Sequence, residues 1–256
     1  MNYPQSKIDI ILLSCNRVEN TKKTIDRIYY ALKYPEMINL IVVDNESVDG
    51  TYEYLQEEVK NGRVHILETC PDVDPITKAY NIGFKHVTSD YFLMSQDDID
   101  IPRLEQKDVI EQLIDLMEKY PDHGGIGLRI ERIPNMNWSL GNEDLAPARK
   151  ALSCYFRIQR KEDYEKMGML NERKAWDDIN FLERMRACGK ECSWTKNIWC
   201  SHARGYCLDR AYLVKPRKWG WAGGIHSRMN QAIFRKPYPR VDVDTCIPLP
   251  GEKIYR

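Results

Sequence analysis

The stretch that most constrains the fold is residues 91–100, where a short apolar run leads into two adjacent carboxylates. Residues 91–94 form the apolar run, which is typical of a buried strand. Asp97 and Asp98 cannot stay in a core unpaired, because burying an unpaired charge is very unfavourable. The strand therefore has to deliver both carboxylates to the carboxyl edge of a sheet, where open α/β sheets bind their ligands.

Two adjacent side chains at this edge diverge, so one carboxylate can face a metal ion and the other a hydroxyl group. Mg²⁺ and Mn²⁺ are usually held by one or two carboxylates together with the phosphates of a substrate. A solvated Asp-Asp turn is the alternative for an isolated pair. The sequence around the pair decides between these two interpretations.

The chain before this stretch alternates between apolar strands and amphipathic helices. Strands are predicted at residues 8–13, 40–43 and 64–67, and helices between residues 21 and 35, at 52–59 and at 75–86. Asn20 or Thr21 is expected to cap the first helix, and Asp49 or Thr51 the second. This order predicts a doubly wound, mostly parallel, Rossmann-like α/β sheet with helices on both faces.

The chain after the Asp pair continues with similar elements. A helix is predicted at residues 109–120, followed by a strand at 126–130, an irregular polar segment at 131–147 and a strand at 151–158. A further helix is predicted from residue 175 to 186. Asp177 and Asp178 lie in its first turn, where the helix dipole stabilises negative charge.

The composition fits one large domain, or a domain with a small appendage, because 43% of the 256 residues are hydrophobic. The formal net charge is zero, so bulk charge points to no partner. The charge is nevertheless uneven, since residues 203–240 contain nine Lys or Arg and a single acid, Asp209. We therefore expect residues 203–256 to form an irregular basic extension.

Hydropathy and cysteine content predict the compartment. The apolar run after the polar N-terminus is too short for a signal sequence or a membrane span. The eight cysteines do not form the framework of a small secreted protein, which favours a reducing environment. A cytoplasmic location is the resulting prediction.

Four blocks of sequence carry a resemblance to a known family. They are residues 10–17, residues 42–51, residues 81–83 followed by 91–98, and residues 176–181 with Arg184. The second block, with Asp-Asn-Glu-Ser-Val-Asp-Gly-Thr at 44–51, is the most diagnostic. In these blocks and in their order, the chain resembles inverting glycosyltransferases with the GT-A fold, close to family 2.

This resemblance implies a GT-A domain over residues 1–202, with a nucleotide-binding half at about 1–100 and an acceptor half at about 101–202. The basic extension would pack on or near the active site. The implied activity is metal-dependent, inverting transfer from a nucleotide diphosphate sugar, with a UDP-sugar favoured, to an acceptor hydroxyl. A saccharide, a lipid-linked molecule and DNA are all open as the acceptor.

On the donor side, the resemblance assigns nucleotide contacts to a set of residues in the first half of the chain: Ser14, Asn16, Arg17, Asp44, Asn45, Lys78 and Asp97. Asp44 would accept the N3–H of a uracil, which requires an acceptor. Asp97 would bind ribose or sugar hydroxyls. Asp98 would hold the Mn²⁺ or Mg²⁺ ion that bridges the diphosphate.

On the acceptor side, Asp178 aligns with the catalytic base that deprotonates the acceptor hydroxyl. His202 falls where related enzymes place a histidine near the metal or the diphosphate, although a lone histidine is more often structural. The chain departs from the family pattern at Gln96, which replaces the first acid of an Asp-x-Asp motif, and at Asn180, which replaces the last acid of the downstream motif. The C-terminal membrane helices common in the family are also lacking.

Other interpretations are left open. The changes at Gln96 and Asn180 would suit a catalytically weak nucleotide-sugar-binding protein. The basic and aromatic segment 215–221 would suit a glycosyltransferase that acts on a modified base in DNA. A nucleotidyltransferase is disfavoured, because residues 14–17 contain no glycine to cradle a triphosphate. A zinc site is weakly indicated by four cysteines without paired Cys-x-x-Cys spacing: Cys188, Cys192, Cys200 and Cys207.

Overall fold

The computed structural model describes residues 7–70, 76–130, 139–172 and 177–202. The strands are β1 (Ile8–Ser14), β2 (Ile38–Asp44), β3 (Ile66–Thr69), β4 (Tyr91–Gln96), β5 (Ile99–Asp100), β6 (His123–Ile130), β7 (Leu145–Pro147), β8 (Arg157–Arg160) and β9 (Glu191–His202). The helices are α1 (Val18–Ala31), α2 (Thr51–Lys60), α3 (Ile76–Phe84), α4 (Val109–Lys119), α5 (Lys161–Lys166) and α6 (Asp177–Ala187).

The strands form one sheet in the order β3-β2-β1-β4-β8-β6-β9-β5, with β7 paired to β9. The first four strands are parallel. Strand β8 then runs antiparallel to both β4 and β6, and β6 is parallel to β9. The predicted doubly wound α/β fold is confirmed, and its parallel part coincides with the predicted nucleotide-binding half.

Side chains of β1 alternate between two core clusters, because successive residues of a strand point to opposite faces of the sheet. Ile10 and Leu12 belong to the cluster that contains residues of α1 and α4. Ile11 and Leu13 belong to the cluster that contains residues of α3 and α6. All seven residues of β1 are buried, which explains why its sequence is nearly unbroken in its apolar character.

Helix α3 approaches the sheet closely at Gly83. A Cβ atom at this position would lie 2.6 Å from Cγ2 of Ile11 and 3.3 Å from Cγ2 of Val43. A glycine is therefore required for the backbone of α3 to sit against β1 and β2.

The predicted caps of α1 are wrong. This helix begins at Val18, with Arg17 as its N-cap residue and no side-chain cap. The N–H of Val18 instead donates to Oδ2 of Asp49 at 3.1 Å. Asp49 also accepts the N–H of Thr51, the first residue of α2, at 3.1 Å. One carboxylate therefore accepts a backbone N–H from the first residue of each helix, where no carbonyl of the same helix can do so.

The strand predicted at residues 151–158 is wrong for most of its length. Only Arg157 and Ile158 of this range belong to β8. The preceding residues cross towards α6, where the N–H of Leu152 donates to the backbone carbonyl of Asp178 at 3.3 Å. Phe156 has a φ of 51°, in the left-handed region, and this turn separates the crossing segment from the strand.

Strands β5, β7 and β9 and helix α5 were not predicted. Residues 203–256 lie outside the described residues, so the predicted domain division and the basic extension stay predictions. Residues 75, 175 and 176 of the predicted helices lie outside them as well. In the described ranges, the structure contains no helix that combines the length and the apolar character needed to cross a membrane.

Candidate functional site

The turn after β4 places Asp97 and Asp98 at the carboxyl edge of the parallel strands, as predicted. Both residues are only 3% exposed. Oδ2 of Asp97 accepts hydrogen bonds from the hydroxyl of Ser14 at 3.1 Å, the N–H of Cys15 at 3.3 Å and the hydroxyl of Thr21 at 3.3 Å. The loop after β1 and the start of α1 therefore hold this carboxylate in place.

Arg17 lies on the same acid pair. Its Nη1 atom is 3.1 Å from Oδ1 of Asp97 and 2.8 Å from Oδ2 of Asp98. The arginine neutralises part of the charge of two carboxylates that burial would otherwise disfavour. Its predicted contact with a nucleotide stays a prediction.

Burial raises the pKa of Asp97 to about 6. The positive charge of Arg17 opposes this rise, and the negative charge of Asp98 adds to it. The pair is thus a site of concentrated negative charge from which water is largely excluded. Such a site attracts cations more strongly than the same carboxylates would in water.

The ends of β1 and β2 form the predicted nucleotide loop. Ser14 and Asp44 are neighbours in the parallel register, and Asp44 is 1% exposed. Oδ2 of Asp44 accepts the N–H of Ser47 at 2.8 Å, which is the turn expected at the start of this loop. The N–H of Asn45 donates to the carbonyl of Ser14 at 2.8 Å, which ties the two strand ends together.

Asn16 lies in the loop after β1, and its backbone has the left-handed conformation, with a φ of 50°. Its N–H donates to the hydroxyl of Ser47 at 2.8 Å, and its Oδ1 accepts the N–H of Val48 at 2.7 Å. Among the described residues, Nδ2 of Asn16 and Oδ1 of Asn45 are buried and have no hydrogen-bond partner. Buried polar groups are normally satisfied, so an unused donor and an unused acceptor mark this loop as a place for a polar ligand.

Lys78 occupies the first turn of α3 and is half-buried. Helix α3 packs on β1 and β2, the two strands that lead into the nucleotide loop. The predicted contact of Lys78 with a nucleotide stays a prediction.

A second acid pair, Asp177 and Asp178, occupies the first two positions of α6. The thiol of Cys154 donates to Oδ2 of Asp177 at 3.0 Å. Oδ2 of Asp178 accepts the hydroxyl of Ser153 at 3.5 Å, and its Oδ1 accepts the N–H of Ile179 at 2.8 Å. Burial, and then the negative charge of Asp178, raise the pKa of Asp177 to about 6.

Arg157, which the sequence did not single out, is fully buried behind this second pair. Its Nη1 donates to the carbonyl of Leu152 at 2.7 Å, and its guanidinium carbon lies 3.5 Å from the ring centre of Phe181. Its positive charge lowers the pKa of Asp177, in opposition to burial. Arg157 thus joins β8, the crossing segment and α6 behind the carboxylates.

Asn180, a departure from the family pattern, is 1% exposed and has a structural role. Its Oδ1 accepts the N–H of Asn171 at 3.3 Å, and its Nδ2 donates to the carbonyl of the same residue at 2.9 Å. An aspartate could accept the first bond, but an ionised one could not donate the second. The amide therefore suits this position better than the acid of the family motif.

Tyr155 is the residue that relates the two acid pairs. Burial raises the pKa of Tyr155, and the negative charges of Asp98, Asp177 and Asp178 raise it further. The phenol is therefore within electrostatic reach of both pairs. The backbone also brings the two pairs together, because Arg157 pairs with Met94 of β4 and the N–H of Leu152 donates to the carbonyl of Asp178 at 3.3 Å.

An exposed aromatic side chain lies near this edge. Trp199 of β9 is 46% exposed, and the guanidinium carbon of Arg129, its cross-strand neighbour, lies 4.4 Å from its ring centre. His202, three residues further along the strand, pairs through its backbone with Ile99, the residue after Asp98. Trp199 therefore lies about 10 Å along β9 from His202, the residue that pairs with the chain next to Asp98.

Of the two predicted metal ligands, the structure describes Asp98 in full and His202 only through its backbone. His202 lies next to the acid pair in the backbone register, but its side chain is outside the description, so its ligand role stays a prediction. In the described part of the chain, no three His, Cys, Asp or Glu side chains are grouped to hold a metal ion.

The predicted four-cysteine zinc site gains no support from this geometry. Cys192 and Cys200 belong to different core clusters, on opposite faces of the sheet. Cys207 lies outside the described residues.

The sheet order, the acid pair after β4 and the acid pair that opens α6 define a glycosyltransferase of the GT-A class. The sequence model of the family described as glycosyl transferase family 2 matches residues 9–174. The chain belongs to this family. No curated protein matches the chain in sequence.

Solved structures share the fold at low sequence identity. One is the mannosyltransferase PcManGT from Pyrobaculum calidifontis in complex with GDP-Man and Mn²⁺, with a TM-score of 0.64 and 16% identity over 81% of this chain and 61% of the other. Another is S. aureus TarS 1-349 in complex with UDP, with a TM-score of 0.60 and 13% identity over 88% of this chain and 72% of the other. The chain therefore spans about six-tenths of the length of the mannosyltransferase.

Proposed function

We propose that the protein transfers a sugar from a UDP-sugar to an acceptor hydroxyl with inversion at the anomeric carbon. The observation that carries this proposal is the placement of two carboxylate sites, one at the end of β4 and one at the start of α6. The chain from Leu152 to Arg157 joins them, since Arg157 pairs with β4 and Leu152 donates to the carbonyl of Asp178. Inverting transfer needs charge neutralisation on the leaving-group side and a base on the acceptor side. Two separate acid pairs at one edge of the sheet can meet both needs.

The nucleotide loop supports a uracil base. Uracil presents one N–H donor and carbonyl acceptors. The loop offers the buried carboxylate of Asp44, the unused acceptor Oδ1 of Asn45 and the unused donor Nδ2 of Asn16. Ser14, Arg17, Lys78 and Asp97 complete the proposed donor site. A UDP-bound relative of the same fold is consistent with this choice.

The first acid pair fits a divalent metal ion. Its carboxylates are buried and already attract a cation, the guanidinium of Arg17. Asp98 would hold Mn²⁺ or Mg²⁺, with His202 as a further ligand, and the substrate phosphates would complete the coordination. When bound, the ion would supply Lewis-acid stabilisation of the departing diphosphate. The Mn²⁺ in the mannosyltransferase structure supports a metal of this kind.

Asp178 is the proposed base. The acceptor oxygen attacks the anomeric carbon while the bond from that carbon to the diphosphate breaks, and the hydroxyl proton passes to Asp178. The start of α6 and the hydroxyl of Ser153 stabilise the charge of Asp178. Asp177 is tied to Cys154 and is proposed to support its neighbour rather than to take the proton.

Two alternatives to this function stay predictions. A catalytically weak binding protein would bind nucleotide sugars without turnover. A glycosyltransferase of modified DNA bases would use residues 203–256, which lie outside the described residues.

A thermal-shift panel tests the donor, because a ligand that binds only the folded state raises its stability. UDP-, GDP- and dTDP-sugars would each be measured with Mn²⁺, with Mg²⁺ and with EDTA. We expect the largest shift for a UDP-sugar with metal, followed by release of UDP on incubation with water or an acceptor. A larger shift for GDP-sugars would overturn the uracil assignment, and binding without any UDP release would favour the binding protein.

A further inference from the structure

The guanidinium of Arg17 occupies the position between the two carboxylates of the first acid pair. A single nitrogen, Nη1, contacts one oxygen of Asp97 at 3.1 Å and one oxygen of Asp98 at 2.8 Å. The side chain of Arg17 is 11% exposed, and those of the two acids are 4% and 3% exposed. The arginine is therefore a positive charge against which a metal ion at this pair has to compete.

We propose that Arg17 is an exchangeable counter-ion of the metal site. It neutralises part of the charge of the acid pair when no metal is bound, and a divalent ion enters by displacing Nη1 from Asp98. The inference rests on the proposed function only in its final step, in which the released guanidinium contacts the diphosphate of the donor.

Charge balance supports the exchange. Two ionised carboxylates and one arginine leave a net negative charge in a buried place, and a divalent ion in place of the arginine cancels that charge. The guanidinium is then released with its charge intact, and it matches the oxygens of a phosphate group in geometry. Retaining both cations on the pair would instead leave one net positive charge on these groups, with the two cations repelling each other.

The backbone at Arg17 is fixed, so the exchange requires movement of the side chain alone. Its N–H donates to the hydroxyl of Thr51 at 3.3 Å, and its carbonyl accepts the N–H of Thr21 in the first turn of α1. The long side chain of arginine has the rotamer freedom for such a movement. The start of α1 can thus stay in place whichever cation the acid pair holds.

Binding of Mn²⁺ alone, measured by calorimetry without any donor, tests the exchange. Arg17→Gln removes the competing charge, so we expect Mn²⁺ to bind about tenfold or more tightly than to the wild type, which corresponds to about 1.4 kcal/mol. Arg17→Lys should lie between the two. Lys22→Gln, an exposed cation of the same helix paired with Glu19, is the matched control and should leave affinity unchanged. Equal or weaker binding by Arg17→Gln would overturn the inference.

Thermal stability supplies a second readout. Without metal, Arg17→Gln should melt below the wild type, because it removes the positive charge that Arg17 places beside two buried carboxylates. Mn²⁺ should then raise its melting temperature more than it raises that of the wild type. If Arg17→Gln does not fold, the same comparison is made with Arg17→Lys. An equal Mn²⁺-induced rise in variant and wild type would show that Arg17 and the ion do not compete.

These measurements use neither nucleotide nor acceptor. Their failure would therefore leave the proposed transfer reaction untouched. Conversely, a protein that exchanged Arg17 for Mn²⁺ but turned over no sugar donor would contradict the proposed function alone.

Discussion

The thiol of Cys154 donates a hydrogen bond to Oδ2 of Asp177 at 3.0 Å, whereas the carboxylate of the neighbouring Asp178 accepts from Ser153 and from the N–H of Ile179. Cys154 is fully buried, so Asp177 is tied to the interior. Asp178 is bonded to Ser153 and to the N–H of Ile179, and both of these residues are at least partly exposed. Two adjacent carboxylates of the same type thus have different surroundings, and we expect different roles for them.

Asp178→Asn should abolish most of the transfer activity. The amide keeps the shape, its oxygen can accept the N–H of Ile179 and its nitrogen can donate to the hydroxyl of Ser153, but it cannot take the proton of the acceptor. We expect kcat to fall by about two or more orders of magnitude, the range for a positioned base. UDP binding, measured by calorimetry, should stay near the wild-type value. Asp177→Asn should be milder, and the reverse ranking would assign the base to Asp177.

Asp177 should make stability depend on pH. Its folded pKa of about 6 lies above the usual 3.8, so between these values the folded state keeps a proton that the unfolded chain has lost. Stability therefore falls as pH rises from about 4 to about 6, and the loss is complete above that range. Asp177→Asn removes this contribution, so its melting temperature relative to the wild type should increase across the same window. Glu57→Gln, at an exposed site, is the control, and a flat difference for Asp177→Asn would contradict the prediction.

Asn180→Asp, which restores the family acid, should destabilise the protein. It removes the donor to the carbonyl of Asn171 and places a charge in a buried position next to Asp177 and Asp178. We expect a loss of about 2–4 kcal/mol in the free energy of unfolding, measured with urea. Asn197→Asp, at an exposed position of β9, should cost less than about 0.5 kcal/mol. Equal effects of the two substitutions would contradict the structural role of the amide.

Trp199→Ala should weaken the use of an acceptor and leave donor hydrolysis unchanged. Trp199 lies three residues, about 10 Å, along β9 from His202, which pairs with the residue after Asp98. We propose that its exposed indole packs against an acceptor ring. We expect the KM of a saccharide acceptor to rise about five- to tenfold. Tyr30→Ala is the matched control, since Tyr30 is 55% exposed and also lies under arginine side chains, those of Arg27 and Arg103. A parallel loss of donor hydrolysis would place Trp199 on the donor side.

The parallel half of the fold was predictable because its signals are local. The apolar runs at 8–13, 40–43 and 91–94 each became a buried strand, and the helices between them followed from their spacing. The segment 151–158 is also mostly apolar, but a turn at Phe156 and a bond from Leu152 to α6 draw it away from the sheet. The order of apolar residues within a segment does not reveal its contacts with distant parts of the chain.

The acid pairs were predictable for a similar reason, since each follows or opens a recognisable element. The residues that contact these acid pairs were not predictable. Arg17 and Asp97 are separated by 80 residues, and nothing in the sequence near either residue indicates the contact. The same holds for Tyr155 and Arg157, whose positions became meaningful only when the crossing segment was placed between β4 and α6. Residue roles that depend on contacts across the fold require the structure.

Strand β9 bears on the proposed use of an acceptor. It pairs with β6 and β5, and its Trp194 shares a core cluster with Phe181 of α6. Helix α6 is also joined to β8, because Leu152, whose N–H donates to the carbonyl of Asp178, lies five residues before Arg157, which pairs with Met94 of β4. Under the proposed mechanism, this packing sets the distance from the leaving group to the base. An acceptor would then be selected by the reach of its hydroxyl as well as by its chemical type.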